Sequence, residues 1–218
     1  MLKGIIFDFD GLLVDTEIVS LKMYDQLLHE YGSEMTEEIY ARYYSGQTEE
    51  NNVRKLIQDY DLPLSFDECM NRVLTLEKEI IAEGVELKPG VKELLELLYG
   101  VEFKIALATS SAKERALTIL DQHGIRMYFD VTVFAEDIIR SKPDPEIFLT
   151  AAEKLGCKPE ECLVFEDSET GIEAAYRAGM QVICIPDIKE PRQEFKKKVF
   201  KTYISLNELI RDIKGEDR

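Results

Sequence analysis

Short apolar runs alternate with amphipathic stretches along most of this chain. Residues 2–9 form a β-branched and aromatic run that ends in acidic residues, a pattern typical of a buried strand. From residue 90 onward, similar runs alternate with segments of helical periodicity, several of which stop at a glycine. This alternation predicts a parallel sheet with helices on both faces. The predicted strands are residues 2–9, 103–108, 131–134, 162–165 and 182–185, and the predicted helices are 91–99, 112–123, 145–155, 170–178 and 206–213.

The segment that follows the first predicted strand has a different pattern. Helical periodicity covers residues 17–31, 36–44, 49–60 and 66–83, with no strand-like run among them. The sequence therefore predicts an α/β core of residues 1–14 and 86–218, interrupted by a helical cap of residues 15–85. Ligands of parallel sheets bind outside the carboxyl ends of the strands, and we expect the cap to cover that edge.

The net charge and the cysteine spacing each disfavour certain binding partners. The formal net charge is −16, which disfavours nucleic acid and anionic membrane surfaces, because both attract basic proteins. No apolar run reaches the roughly 18 residues of a membrane-spanning helix, and the apolar start is too short for a signal peptide. We therefore expect a cytoplasmic protein. The four cysteines form no C-x-x-C pair, which disfavours a zinc site.

Polar residues follow four of the predicted segments of the core. Alone, each signal is weak, because an Asp-x-Asp pair is common in turns and a hydroxyl residue often caps a helix. Their conjunction is informative, because the carboxyl ends of parallel strands meet at one edge of a sheet. The residues concerned are Asp8 and Asp10 after the first strand, Thr109 after the second, Lys142 after the third, and Glu166 with Asp167 after the fourth.

These residue types match what phosphoryl transfer requires. The Asp8 carboxylate can act as nucleophile and form an acyl-phosphate, while Lys142 and the Thr109 hydroxyl hold the phosphoryl oxygens. Mg²⁺ prefers oxygen ligands such as Asp8 and Asp167, and would offset the negative charge of the protein. Asp10 can protonate the leaving oxygen and then deprotonate the attacking water. An ordinary Asp pKa of ~3.9 is too low for this task, and we expect closure of the cap to raise it by desolvation.

Four motifs stand at these positions. They read DFDGLLVDTE from residue 8, ATSS from residue 108, KPDP from residue 142 and EDS from residue 166. Together they resemble the haloacid dehalogenase-like superfamily of phosphohydrolases, in its β-phosphoglucomutase and sugar-phosphatase branch. The resemblance covers nearly the whole chain. It implies an α/β fold with a Rossmann-like parallel sheet core and an inserted α-helical cap domain, acting as a monomer on a small-molecule phosphate ester.

The resemblance also implies a role for each motif residue. Asp8 would be the nucleophile and a metal ligand, and Asp10 the acid/base, with its backbone carbonyl on Mg²⁺. Asp167 would ligate Mg²⁺, with Glu166 ligating directly or through water. The groups implied to bind the phosphoryl oxygens are Thr109, Lys142 and the backbone amides of Gly11, Leu12 and Ser110, and the candidate substrate-binding residues of the cap are Gln47 and Glu49.

Two departures from the branch favour hydrolysis over isomerisation. Phosphoglucomutases carry a histidine where this chain has Ser20, and a basic residue in the cap loop where it reads Gly46-Gln47-Thr48-Glu49. Glu49 would repel a second phosphate. The leading hypothesis is a Mg²⁺-dependent phosphatase of a small phosphorylated metabolite, a sugar phosphate, that passes through an aspartyl-phosphate on Asp8. The alternative is a β-phosphoglucomutase-type isomerase, and less favoured are a haloacid dehalogenase and a phospho-accepting signalling module.

Overall fold

The chain divides into two compact units. The structure, a computed structural model, describes residues 1–45, 47–101, 103–187 and 189–216. The first unit comprises Met1–Asp15 and Glu86–Arg218, and the second comprises Thr16–Val85. Gly46 of the predicted cap loop lies outside the described residues. That the second unit acts as a cap stays a prediction.

A parallel sheet forms the centre of the first unit. Its strands in the described part of the chain are β1 (Gly4–Phe7), β2 (Lys104–Ala108), β3 (Val131–Val133), β4 (Cys162–Glu166), β5 (Gln181–Cys184) and β6 (Lys201–Thr202). They are ordered β3-β2-β1-β4-β5-β6, and each neighbouring pair is parallel. Gly4 on β1 is in register with Lys104 on one side and Cys162 on the other. This confirms the predicted α/β fold.

Helices follow most of the strands. Over the described residues they are α1 (Thr16–His29), α2 (Glu37–Tyr43), α3 (Glu49–Asp59), α4 (Phe66–Glu83), α5 (Val91–Tyr99), α6 (Lys113–His123), α7 (Glu146–Leu155), α8 (Glu169–Arg177), α9 (Gln193–Lys196) and α10 (Leu206–Lys214). Short 3-10 turns cover Arg126–Tyr128, Ala135–Asp137 and Pro159–Glu161. The sequence pattern did not predict β6 or α9, because β6 is two exposed residues and α9 a single turn.

Burial explains the apolar composition of the central strands. All four residues of β1 are buried, as expected for a parallel strand covered on both faces. On one face, Ile147 and Phe148 of α7 pack into a core that includes Ala106 and Val164. The predicted strand 2–9 was too long. After Phe7 the chain leaves the sheet through a turn that requires a positive φ of 76° at Gly11.

The second unit is built from α1 to α4. Helix α4 begins at a capping box in which the Ser65 hydroxyl and the Glu68 carboxylate satisfy each other's backbone amides. Helix α1 packs against α4, with Tyr24 and Leu27 of α1 and Val73 of α4 fully buried. Among the residues described, no helix combines the length and the apolar character needed to cross a bilayer.

Candidate active site

The carboxyl edge of the sheet carries the polar residues identified from the sequence. Asp8 follows β1 directly, and its amide donates to the Phe165 carbonyl of β4 at 3.0 Å. Thr109 follows β2, and its amide donates to the Val133 carbonyl of β3 at 3.0 Å. These bonds continue the parallel ladder beyond the strands, so the backbone of both residues is held by its neighbours.

A buried lysine joins two of these strand ends. Lys142 lies between β3 and α7, and its Nζ is 2.5 Å from Asp8 Oδ1 and 2.7 Å from Glu166 Oε1. The Lys142 and Asp8 side chains are 9% exposed and that of Glu166 is 0% exposed. Burial acts to lower the pKa of Lys142, but the two carboxylates outweigh it and raise the pKa overall. The ammonium group therefore stays charged between the two acids.

Glu166 is anchored by the start of α8. Its Oε2 accepts hydrogen bonds from the amides of Asp167 at 2.8 Å and Ser168 at 2.7 Å, and from the Ser168 hydroxyl at 2.9 Å. Gly171 leaves the space for this carboxylate, because a Cβ there would lie 1.6 Å from Glu166 Oε1. Glu166 is therefore fixed on one oxygen by the loop and presents the other to Lys142.

Three carboxylates form a cluster whose chemistry fits a divalent cation. Asp8, Glu166 and Asp167 each offer an oxygen within 4.8 Å of the others. The pKa of Asp8 is raised to about 7, because burial, with smaller contributions from Glu166 and Asp10, outweighs the lowering effect of Lys142. Burial also raises the pKa of Asp167, with Glu166 and Asp8 adding to the effect. Such mutual repulsion is relieved by a hard cation, and an all-oxygen donor set suits Mg²⁺.

Gly11 brings the backbone close to this cluster. A Cβ on Gly11 would lie 2.4 Å from Asp167 Oδ2 and 3.3 Å from Asp187 Oδ2. Glycine is thus required at this position both for the positive φ and for the close approach of the Asp167 carboxylate. Asp187 in turn accepts a hydrogen bond from Lys88 Nζ at 2.5 Å.

Asp10 has a set of partners that the sequence reading did not identify. Its Oδ2 accepts hydrogen bonds from the Thr109 hydroxyl at 3.1 Å and the Ser111 hydroxyl at 2.6 Å, and its Oδ1 accepts one from Arg115 Nη1 at 2.6 Å. Burial acts to raise the pKa of Asp10, but Arg115 and these hydrogen bonds outweigh it and lower the pKa overall. In this arrangement the pKa of Asp10 is below its ordinary value, and the expected rise on closure of the cap stays a prediction.

One of the three backbone amides expected to bind phosphate, that of Gly11, has another role in the structure. The Gly11 amide donates to the Val14 carbonyl at 3.0 Å, so the turn itself uses the group that was expected to bind phosphate. Within the described ranges, the amides of Leu12 and Ser110 have no hydrogen-bond acceptor, and neither have those of Phe9 and Asp10. Phe9 and Asp10 directly follow Asp8, so their position in the sequence could have suggested their amides as phosphate-binding donors.

Two candidate residues lie in the helical unit. Gln47 is exposed and its amide donates to the Tyr44 carbonyl at 3.3 Å. Glu49 begins α3 and accepts a hydrogen bond from the Tyr24 hydroxyl at 2.9 Å. Burial raises the pKa of Glu49, partly offset by that hydrogen bond. Their part in substrate binding stays a prediction.

The chain is similar to known proteins over most of its length. The profile of the haloacid dehalogenase-like hydrolase family matches residues 5–185, and the chain belongs to this family. A phosphorylated carbohydrates phosphatase from Thermotoga maritima is 37% identical over 182 residues, which are 84% of each chain. A fructose-1-phosphate phosphatase from Escherichia coli is 29% identical over 180 residues, 83% of this chain and 94% of the relative.

Solved structures agree with this assignment. A Thermotoga maritima protein, provisionally described as a β-phosphoglucomutase, is 31% identical with a TM-score of 0.87, over 98% of this chain and 99% of that one. The resemblance to the haloacid dehalogenase-like superfamily is therefore confirmed, and so is the fold of a Rossmann-like core with an inserted helical domain. The prediction of a phosphoric monoester hydrolase is also confirmed, because the chain belongs to this hydrolase family and these two curated relatives are named as phosphatases.

Proposed function

We propose that this protein is a Mg²⁺-dependent phosphatase of a small phosphorylated metabolite, a sugar phosphate, and that Asp8 is its nucleophile. The observation that carries the proposal is the position of Lys142, 2.5 Å from Asp8 and 2.7 Å from Glu166 in a buried site. A carboxylate held against a fixed cation, beside two further acids, is an arrangement suited to accept a phosphoryl group.

In the first step, an Asp8 carboxylate oxygen attacks phosphorus and the bond from phosphorus to the ester oxygen breaks. Lys142 offsets the charge of the transferred phosphoryl group, and the amides of Phe9, Leu12 and Ser110 are available as donors to its oxygens. The product of this step is an aspartyl-phosphate and a free alcohol.

Asp10 handles the protons in this scheme. The scheme requires Asp10 to enter the first step protonated, although Arg115 lowers its pKa in this arrangement, and it then donates that proton to the leaving ester oxygen. In the second step it takes a proton from the water that attacks phosphorus, which releases phosphate and restores the Asp8 carboxylate. The same carboxyl thus gives and recovers one proton in each cycle. The hydroxyl of Thr109, which donates to Asp10, is available to a phosphoryl oxygen when Asp10 is protonated.

Asp8, Asp167 and Glu166 would hold Mg²⁺, together with the backbone carbonyl of Asp10. When bound, the ion supplies positive charge that keeps the Asp8 carboxylate ionised and offsets the charge of the phosphate ester. Glu166 contributes directly or through water, since one of its oxygens is bound by the α8 loop.

The substrate class rests on the relatives and on the cap residues. Two curated relatives are named for phosphorylated carbohydrates and for fructose 1-phosphate. We propose that Gln47 and Glu49 contribute to selection of the leaving group. An acidic Glu49 disfavours a substrate with a second phosphate, which the isomerase alternative requires.

Phosphate release from a panel of sugar phosphates, nucleotides and phosphoglycolate, with Mg²⁺ or with excess EDTA, tests the proposal. We expect Mg²⁺-dependent release from a few monosaccharide phosphates, lost in Asp8→Asn. The control Asp121→Asn changes an acid whose ion pair with Arg126 is exposed, and it should retain full activity. Glucose 6-phosphate formed from β-glucose 1-phosphate without free phosphate would indicate the isomerase instead. Full rates in EDTA, or an active Asp8→Asn enzyme, would refute the proposed chemistry.

A further inference from the structure

Arg115 connects helix α6 to the acid on the first loop. It lies four residues after Ser111 and is the third residue of α6, the helix that follows β2. Its Nη1 donates to Asp10 Oδ1 at 2.6 Å and to Ser111 Oγ at 2.6 Å. The Arg115 side chain is 17% exposed and that of Asp10 is 32% exposed. The contact is therefore partly buried, which strengthens a charge-assisted hydrogen bond relative to one in bulk water.

The hydroxyl groups of the same segment complete the arrangement. Ser111 Oγ donates to Asp10 Oδ2 at 2.6 Å, and Thr109 Oγ1 donates to the same oxygen at 3.1 Å. The Ser111 amide donates to Thr109 Oγ1 at 2.9 Å, which orients that hydroxyl. Both oxygens of Asp10 are thus held by groups from one segment, 109–115, although Asp10 itself belongs to another strand end.

We propose that Arg115, together with Ser111, is a positioning residue that holds the Asp10 carboxyl in the orientation needed for proton transfer to the leaving oxygen. This inference rests on the proposed phosphatase function. Arginine stays protonated at any working pH, so Arg115 neither donates nor accepts the proton that Asp10 transfers. The guanidinium group of Arg115 holds Asp10 Oδ1 in place. Because the carboxyl group is planar, this also restricts the position of Asp10 Oδ2.

The leaving group distinguishes positioning of the acid from a general structural role. A sugar alkoxide is a poor leaving group and needs the proton from Asp10, whereas 4-nitrophenolate leaves without protonation. Loss of a correctly oriented acid therefore slows the first step, phosphoryl transfer to Asp8, with a sugar phosphate and spares that step with 4-nitrophenyl phosphate, whereas the second step, for which Asp10 is the base, is common to both substrates. Damage to the phosphoryl-binding site or to the fold slows both reactions.

The experiment compares the single-turnover rate of the first step, release of the alcohol, for wild type, Arg115→Met, Arg115→Lys and Ser111→Ala on two substrates. These are 4-nitrophenyl phosphate and the sugar phosphate that wild type cleaves fastest in the panel above. For Arg115→Met we expect the single-turnover rate of sugar release from the sugar phosphate to fall by about 100-fold, the effect of a misplaced catalytic group, with little change in the substrate concentration that gives half the maximal rate. The single-turnover rate of 4-nitrophenolate release should stay within a few-fold of wild type, and Arg115→Lys should recover part of the loss.

The control variant is Arg126→Met, whose arginine makes an exposed ion pair with Asp121 and should have wild-type kinetics on both substrates. If Arg115→Met does not fold, Arg115→Lys and Ser111→Ala carry the comparison. Equal losses on the two substrates, or no loss on the sugar phosphate, would overturn the positioning role. A wild-type enzyme inactive on every phosphate ester would instead refute the proposed function, and this inference with it.

Discussion

Replacing Lys142 by methionine leaves the buried carboxylates of Asp8 and Glu166 without the cation that lies between them. Lys142 is 2.5 Å from one and 2.7 Å from the other, and the three side chains are at most 9% exposed. Removing one partner of such a buried ion pair costs about 3–5 kcal/mol, because the remaining charge is desolvated and unpaired. A typical domain has a free energy of unfolding of about 5–15 kcal/mol, so the loss is a large share of the total.

The cost should depend on pH and on Mg²⁺. With Lys142 present, the pKa of Asp8 is already raised to about 7, mainly by burial, and removal of Lys142, whose charge lowers this pKa, raises it further. Below that range Asp8 takes up a proton and the destabilisation of Lys142→Met shrinks; above it the full cost is present. Mg²⁺ bound to the carboxylates would supply positive charge in place of the ammonium group and recover part of the loss.

Urea unfolding of wild type and Lys142→Met, above and below about pH 7 and with either EDTA or Mg²⁺, measures these effects. The matched control is Lys154→Met, since the Lys154 pair with Asp137 at 3.2 Å is 42% and 35% exposed. That variant should lose no more than about 1 kcal/mol. A Lys142→Met protein as stable as the control at alkaline pH in EDTA would refute the reasoning.

Two further predictions concern the same site. Gly171→Ala places a Cβ 1.6 Å from Glu166 Oε1. Because this overpacks the site, we expect the free energy of unfolding to fall by about 1–3 kcal/mol and turnover to decrease. Wild-type stability and turnover would contradict this prediction. The control Gly100→Ala, with no atom closer than 3.7 Å, should be near neutral in unfolding experiments. The pKa of Asp8 is raised to about 7 in the folded, metal-free enzyme, so protonation of Asp8 stabilises the folded state. This stabilisation is fully present below the pKa of Asp8 in the unfolded chain, and it is lost as the pH rises through about 7. Mg²⁺ at 100 times its Kd should therefore stabilise by about 2.7 kcal/mol above that range and by less below it, and thermal unfolding that is unaffected by Mg²⁺ would contradict a metal site.

The sequence was sufficient to predict the sheet and the residues at its edge. Strand β1 is a continuous apolar run, and the residues that follow it can be located from the strand alone. The same argument applies to Thr109 after β2 and Asp167 after β4. Lys142 is brought to Asp8 by the parallel order of the strands, which the alternation of elements implies.

Arg115 could not be found by the same argument. It lies inside α6, beyond the strand end, and its approach to Asp10 depends on the angle at which that helix leaves the sheet. Sequence spacing places Arg115 four residues after Ser111, which precedes α6, but does not show its contact with another strand end. The lowering of the pKa of Asp10 could not be predicted for the same reason, since the contact with the charge of Arg115 was not known from the sequence.

The hydrogen bond of the Gly11 amide likewise could not be predicted from the sequence. The motif indicates a turn at Gly11, but only the backbone path shows that its amide closes the turn on Val14. The unpaired amides of Phe9 and Asp10 follow from the same path, because the chain leaves the ladder after Asp8.

The phosphorylated residue itself tests the central claim most directly. In Asp10→Asn the second step lacks its base, so 4-nitrophenyl phosphate should transfer its phosphoryl group to the enzyme faster than water removes it. Acid quenching, proteolysis and mass spectrometry then locate the group. We expect one phosphoryl group for each active enzyme molecule, on the peptide that contains Asp8, with a matching burst of 4-nitrophenolate. A burst with the phosphoryl group on another residue, or steady turnover with no phosphorylated peptide, would contradict an aspartyl-phosphate on Asp8.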